Sequence, residues 1–338
     1  MVLKSSIFRP TTEADEPRLI EFLSRAFSVD TGTAFLEPAL LRWKYWTPRE
    51  DYTEARSFVL ERNGEIAAHA GIWPVSIGTG EGRARGAHMI DWASDPATPG
   101  SGASLVQRLI RQFDFLYSIG GSAMTQSVLP AFGFKRVTET WMGARPLRPL
   151  RQMLFHQVKN WKLPLRLARN TWWSLSPARP GKNGWTAVEA RIADFNPPAS
   201  CPRGRAFFNY LEQCPAIQQS LYRLLNNGQE EGWLALSLIQ KQARIEGVWL
   251  HNSSPARLRS AYLAAQEAAA RLKEICEIVA EGSAGSSEAA ALEAGFRMAR
   301  RTPAYLLQKS GTPLMPFEFQ LADNDEFFLS TGVPMFLS

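Results

Sequence analysis

The stretch His88-Met89-Ile90-Asp91-Trp92-Ala93-Ser94-Asp95-Pro96-Ala97-Thr98-Pro99-Gly100-Ser101-Gly102-Ala103-Ser104-Leu105 decides how this chain is read. Its first six residues, apolar apart from His88 and Asp91, form a strand. Two prolines and two glycines break it. Leu105, Leu109, Ile110 and Phe113 then recur at helical spacing. A strand, a glycine-rich turn and a helix start bring several unpaired backbone N–H groups to one point, and the helix dipole adds partial positive charge there. Such a point suits a pyrophosphate. Glycines at 100 and 102 let the backbone approach phosphate oxygens with no Cβ in the way. A turn that merely starts a helix carries the same bare Gly-x-Gly pattern, so context gives the motif its weight.

Working outward, Ile7-Phe8-Arg9-Pro10 reads as a short strand, and Asp15 is placed to cap a helix with Pro17 just inside it. Phe58-Val59-Leu60-Glu61 and Ile66 to Ile72 flank Asn63-Gly64, the strongest short hairpin signal. Phe115 to Ile119 is a buried strand, followed by Gly121-Ser122, a short helix and Gly133-Phe134. The second half repeats this order. Trp233 to Ile239 pairs with Ile245 to Leu250, Ser254 caps an alanine-rich helix, and Ile275 to Val279 precedes Gly282-Ser283 and Gly295-Phe296. The paired glycines are 12 residues apart in one copy and 13 in the other, which argues for a duplicated fold. Any strand–helix–strand unit also needs glycine at its turns.

Composition bounds the rest. The chain has 338 residues, 45% hydrophobic and 21% charged, a length that fits two domains. No stretch approaches the run of about 18 apolar residues that spans a bilayer. The N-terminus lacks the apolar core of a signal peptide, so the expected compartment is the cytoplasm. Three cysteines without metal-ligand spacing and four scattered histidines speak against a disulfide framework and a metal site. The tail Asp323-Asn324-Asp325-Glu326 reads as a solvated turn rather than a cation loop. The net charge is +6. Residues 145–182 hold nine basic residues and no acidic one, leaving −3 for everything else, so the charge is no argument for nucleic-acid binding. Within that stretch Leu150, Met153, Leu154, Val158, Trp161 and Leu165 follow near-helical spacing, and Pro164 would split the helix. It reads first as a connector whose apolar side packs between the halves. Peripheral membrane contact or docking of an acidic partner is the other reading.

The first half resembles the GNAT superfamily of acyl-CoA N-acyltransferases. The matching residues are Phe8-Arg9-Pro10 through Asp15, the hairpin at Asn63-Gly64-Glu65, the strand ending at Ala93, the Gly100-Ser101-Gly102 loop and Gly133-Phe134-Lys135, over roughly residues 6 to 145. The second half is similar to a degenerate copy without the loop. The resemblance implies an α/β (mixed α+β) protein of two GNAT-like domains, each a mixed, bent sheet flanked by helices. It divides the chain into an acyltransferase domain at 1–145, a basic amphipathic connector at 146–190 and a second GNAT-like domain at 191–338. It implies acetyl-CoA or another acyl-CoA as co-substrate, held by Trp92, Ala93, Ser94, Thr98, Gly100, Ser101, Gly102 and Ala103, with Ser122 and Thr125 as pantetheine or substrate contacts or as helix caps. Two positions depart from the family pattern. Ala97 stands where an Arg or Gln commonly precedes the loop, and Leu129 (Ala291 in the second copy) where a tyrosine commonly acts as general acid.

The implied reaction is direct attack of a small-molecule primary amine, an amino sugar or similar, on the thioester. The protein must orient the two reactants, hydrogen-bond the thioester carbonyl from a backbone N–H near Trp92 or Ala93, and take up a proton. Asp91, in an apolar run, would be partly desolvated and its pKa raised. His88 and Glu139 are the other candidate bases, and Glu61 reads as solvated. Trp43, Tyr45, Trp46 and Trp73 either line an acceptor pocket or fill the core. The alternative to an enzyme is a non-catalytic binding or scaffold protein that keeps the fold.

Overall fold

A computed structural model of the chain describes residues 6–78, 82–155, 161–175, 184–198, 201–309, 318–328 and 336–338. The first copy starts with β1 (Ser6–Pro10), α1 (Glu16–Phe27) and α2 (Pro38–Tyr45). The hairpin of β2 (Ser57–Arg62) and β3 (Glu65–Gly78) follows, then β4 (Arg83–Ser94), α3 (Ser101–Ile110), β5 (Phe115–Ile119), α4 (Ala123–Val128) and β6 (Lys135–Pro146). Two helices join the copies, α5 (Pro149–Phe155) and α6 (Leu163–Ser174). The second copy runs through β7 (Trp185–Ala190), α7 (Arg205–Leu211), β8 (Gln218–Asn226), β9 (Gln229–Ile239), β10 (Gln242–Leu250), α8 (Pro255–Arg271), β11 (Glu277–Ser283), α9 (Ser286–Glu293) and β12 (Arg297–Gln308).

Local chemistry explains many of these boundaries. Asn63 and Gly64 both take positive φ, 55° and 82°, as a tight two-residue hairpin turn demands. Ser254 Oγ accepts the Arg257 N–H and caps α8. Asp15 departs from its expected role. Its carboxylate receives two hydrogen bonds from Arg9 and the Thr12 N–H, closing a turn before α1 instead of capping it. Arg9 also grips Glu61, which Arg18 joins, so Glu61 is held rather than solvated.

All twelve strands form one sheet in the order β1-β2-β3-β4-β5-β12-β6-β11-β10-β9-β8-β7. It is mixed, with β4–β5 and β10–β11 parallel and the other pairs antiparallel. The order is its own mirror about the β12–β6 pair, the signature of duplication. It also shows an exchange: the last strand of each copy lies beside the other copy's penultimate strand. The division at 1–145, 146–190 and 191–338 thus follows the sequence, while in space the copies trade strands. Trp141 on β6 is buried in the second copy's core and donates its indole N–H to Ser287 Oγ at 3.1 Å. Tyr305 on β12 packs into the first copy's core.

A third layer of contacts closes the seam. Trp43 and Trp73 meet Phe207 and Tyr210 of the second copy and Phe327 and Phe328 of the C-terminal segment. Trp73 donates to the Ala322 carbonyl and Trp43 to the Tyr210 carbonyl. Trp43, Tyr45 and Trp73 are therefore core, not the walls of an acceptor pocket. The segment around Asp323–Glu326 is likewise no solvated turn, since Asp323 and Asn324 are buried. The connector differs most. Leu150, Leu154 and Leu165 point outward while Gln152, Asn170 and Trp173 are buried, so these three leucines do not pack between the halves. Val158, Lys159 and the run from 176 to 183 lie outside the described residues.

Because both copies share the β6–β12 ladder, the chain should unfold as one unit. Calorimetry is expected to show a single transition, and Trp141→Ala should lower stability by about 3–5 kcal/mol without splitting it. Two transitions would contradict the strand exchange.

Candidate functional site

The site is built around β4. Its parallel pairing with β5 covers Gly86↔Phe115 to His88↔Tyr117, yet β4 continues to Ser94 and β5 to Ile119, so the two strands part beyond His88. His88 itself fills the first missing rung, its Nε2 accepting the Ile119 N–H at 3.1 Å while the ring stacks on Tyr117. On the other edge, a bulge sets two residues, Asp91 and Trp92, against the single Ala70 of β3. Asp91 carries the bulge in a left-handed conformation, φ 47°, which Asp tolerates better than most residues. The bulge lifts Asp91 and Trp92 out of the regular ladder at the place where the strands part.

Below the strand the Asp91 carboxylate is fully engaged. Lys44 Nζ and the Tyr45 hydroxyl both donate to Oδ2 at 2.5 Å. The Asp91 carbonyl accepts from His69 Nδ1, and His69 Nε2 accepts from Ser57 Oγ. Lys44 is completely buried. Burial alone would raise the Asp91 pKa, but the Lys44 charge and the hydrogen bonds from Lys44 and Tyr45 outweigh it and hold the carboxyl below its ordinary value. The expected raised pKa is thus reversed by a neighbour, Lys44, that the strand's own sequence does not reveal. His88 is driven the other way from a useful base: burial pushes its pKa down to about 3. Its Nδ1 is buried with no hydrogen-bond partner. Glu139 lies on β6, ion-paired with Arg136 and with Arg301, the latter at 3.3 Å. The three expected bases are therefore each committed elsewhere.

One carboxyl nearby is not. Asp325, in the C-terminal segment, lies within electrostatic reach of Asp91, Lys44 and Glu281. Its neighbours are pinned: Asp323 pairs with Arg203 at 2.9 Å, Asn324 donates to Glu281 at 3.0 Å, and Glu326 pairs with Arg300. Among the described residues Asp325 has no hydrogen bond or ion pair from another side chain. Burial, and then the charge of Asp91, raise its pKa to about 6. Sequence reasoning missed it because an Asp-Asn-Asp-Glu run reads as solvent-facing. The one available signal was Phe327-Phe328, a pair that must be buried and draws its neighbours inward.

The loop after β4 has the expected build. Gly100 takes φ 80° at the N-cap of α3. Ser101 N–H closes onto the Thr98 carbonyl, and the amides of Gly102 and Ala103 come too early in the helix for an intrahelical acceptor. A Cβ on Gly102 would stand 3.1 Å from Ser94 Cβ and 3.4 Å from Trp92 Nε1, so loop, strand end and indole are in close contact. Trp92 Nε1 and Ser101 Oγ are both buried with no hydrogen-bond partner. Two orphaned polar atoms beside unpaired helix amides fit a ligand rich in acceptor oxygens. Thr98 Oγ1 is engaged with the Ala67 and Asp95 carbonyls. Ser122 caps α4 by accepting the Thr125 N–H, and the two hydroxyls bond each other, so Ser122 is the helix cap and Thr125 its partner. Among the described residues no cluster of three or more His, Cys, Asp or Glu could hold a metal.

The second copy repeats the strand geometry and fills it. β10 bulges at Glu246 between Ile245 and Gly247, and its pairing with β11 stops at Ile245↔Ala280. Gln320 then enters the opening. Its side-chain Oε1 accepts the Val248 N–H at 2.6 Å, and its backbone bridges to Gly282 of β11. At the corresponding helix start Pro255 has no N–H and Ser254 Oγ takes the Arg257 amide. This copy thus lacks the gap and offers fewer free amides.

A family model described as an acetyltransferase (GNAT) domain matches residues 7–116. Solved structures with a similar fold include a GCN5-related N-acetyltransferase from Anabaena variabilis (TM-score 0.56, 11% identity, covering 89% of this chain and 72% of that one). A tandem GNAT protein from the clavulanic acid biosynthesis pathway aligns at TM-score 0.54 and 12% identity over 90% of this chain and 98% of its own. N-myristoyltransferase from Saccharomyces cerevisiae, solved with bound myristoyl-CoA, aligns at TM-score 0.55 and 11% identity over 93% and 85%. No curated protein matches the sequence. The matched domain contains the β4 bulge, the Gly100–Gly102 loop and α3, and the mirrored strand order accounts for the remainder: the chain is a GNAT-fold protein of the tandem kind.

Proposed function

We propose that the protein transfers an acyl group from acyl-CoA to a primary amine in the first copy alone, most simply an acetyl group to a small amine such as an amino sugar. The observation that carries this reading is the gap between β4 and β5, with unpaired α3 amides at its mouth, beside a second copy whose equivalent gap is filled by Gln320. The pyrophosphate would sit on the amides of Gly102 and Ala103, with Ser101 and Trp92 as further donors. Pantetheine would run between the strands and take up their missing hydrogen bonds. The amide of Trp92, at the bulge, would donate to the thioester oxygen as it gains charge.

Asp325 is the proton acceptor in this scheme. It is the unpaired carboxyl beside the bulge, and a pKa near 6 lets it be ionised at neutral pH yet still basic. The amine nitrogen attacks the thioester carbon, the C–S bond breaks, and the ammonium proton passes to Asp325. With Leu129 where a hydroxyl acid could stand, solvent protonates the leaving CoA thiolate. The Lys44–Asp91 pair holds the bulge in shape and is a positioning device.

Isothermal calorimetry with acetyl-CoA should give one site per chain. Ala103→Asp adds a carboxylate that suits a helix N-terminus but opposes phosphate, so it should weaken binding at least about tenfold while leaving the melting temperature unchanged or raised. No binding by the wild type, or two sites per chain, would sink the reading.

Asp325→Asn should lower the turnover rate about 10²- to 10⁴-fold and remove the rise in rate as pH passes through about 6. Stability provides a second check. A carboxyl raised above its unfolded value near 4 favours the folded state at low pH, and that contribution is lost as pH rises through about 6. The Asn variant should match the wild type below pH 4 and exceed it by about 1–3 kcal/mol above pH 6, measured by denaturant unfolding.

A further inference from the structure

The two joining helices carry an apolar surface facing away from the protein. Leu150, Leu154, Trp161, Leu165, Trp172 and Leu175 are each between 63% and 78% exposed, and Phe155 is exposed as well. Half of the exposed large apolar side chains among the described residues lie in this one stretch, where a folded protein normally scatters them singly. The inner side is polar instead. Gln152 donates to Glu277 and Ser338 and accepts from Asn170, all buried, and Trp173 bonds the Gly295 carbonyl. Arg148 and Arg151 tie α5 to carbonyls at 270–275, and Arg166 ties α6 to the carbonyl of Ser338. The helices are thus fixed by polar anchors, and their outward apolar face is a property of the folded state.

We propose that this face docks on the surface of an anionic lipid bilayer. Charge is the first argument for lipid. Arg151, Lys162 and Arg169 are exposed along the same two helices, and no acidic residue occurs between Arg145 and Lys182. Side-chain type is the second. Lys162 Nζ lies 5.5 Å from the Trp161 ring centre, and Lys241, itself paired with Glu274, lies 5.5 Å from that of Phe155. Ammonium groups beside half-inserted aromatic rings match the headgroup level of a membrane, where the ring sits among acyl-chain ends and the cation among phosphates. Length is the third. Helices of 7 and 12 residues are too short to span a bilayer and can only lie along it. The proposal stands independently of the acyl-transfer reading, since none of these residues belongs to the β4–β5 site.

Vesicle flotation with the full chain tests it, using phosphatidylcholine alone against an equimolar mixture with phosphatidylglycerol. Binding should be at least about tenfold tighter on the anionic vesicles and fall at high salt. The double variant Lys162→Glu, Arg169→Glu should lose at least about tenfold in affinity. Trp161→Ala with Trp172→Ala should lose a similar factor, and brominated lipid should quench wild-type tryptophan emission more than that of this double variant. All variants change exposed side chains, so an unchanged melting temperature confirms that they fold. No flotation, equal binding to neutral vesicles, or binding indifferent to both variants would overturn the proposal. So would a wild-type dimer in light scattering that Trp172→Asp converts to monomer, because the face would then be a contact between copies of this chain.

Discussion

The antiparallel ladder between β6 and β12 is the constraint from which the rest of the molecule follows. It lies at the centre of the twelve-stranded sheet and joins the last strand of each copy to the other copy's core. Neither copy can close its sheet alone, because β5 and β11 find their outer partners only in strands from the opposite half. Side chains follow the backbone: Trp141 belongs to one copy and fills the other, as Tyr305 does in reverse. The seam formed this way is packed with Trp43, Trp73, Tyr210, Phe327 and Phe328.

Within this shared sheet the two copies differ. Both have a parallel strand pair that parts early, and both have an acid at the bulge beside it. In the first copy Lys44 balances Asp91 and the helix start is left open by Gly100 and Gly102. In the second, Glu246 has no ion-pair partner among the described residues and burial lifts its pKa to about 7, while Gln320 and Ser254 take the bonds a ligand would make. The same C-terminal segment that seals the second opening carries Asp325 to the first. One stretch of chain thus closes one opening and comes within electrostatic reach of Asp91 and Lys44 beside the other.

Much of the fold was legible because it rests on local chemistry. Asn63-Gly64 needs positive φ at both positions, Ser254 needs only the amide three residues on, and Gly100 marks a left-handed helix cap. The repeat of glycine spacing exposed the duplication. What could not be read depends on contacts distant in sequence. Strand exchange leaves no mark on a single strand, because β6 alternates in the same way whichever neighbour it pairs with. Asp91 looked like a base until Lys44, 47 residues earlier, supplied its partner. Helical periodicity showed that Leu150, Leu154 and Leu165 share a face, and the natural inference was that this face is buried. Gln152, held by Asn170, and Arg166 grip the second copy with polar bonds and leave that face outward.

The most direct test of the account is a crystal structure grown with acetyl-CoA. The account predicts a pyrophosphate on the amides of Gly102 and Ala103, pantetheine between β4 and β5, the thioester oxygen at the Trp92 amide and Asp325 facing the thioester carbon. The opening between β10 and β11 should still hold Gln320. Acetyl-CoA bound between β10 and β11, or density that leaves the Gly100–Ala103 loop untouched, would contradict it.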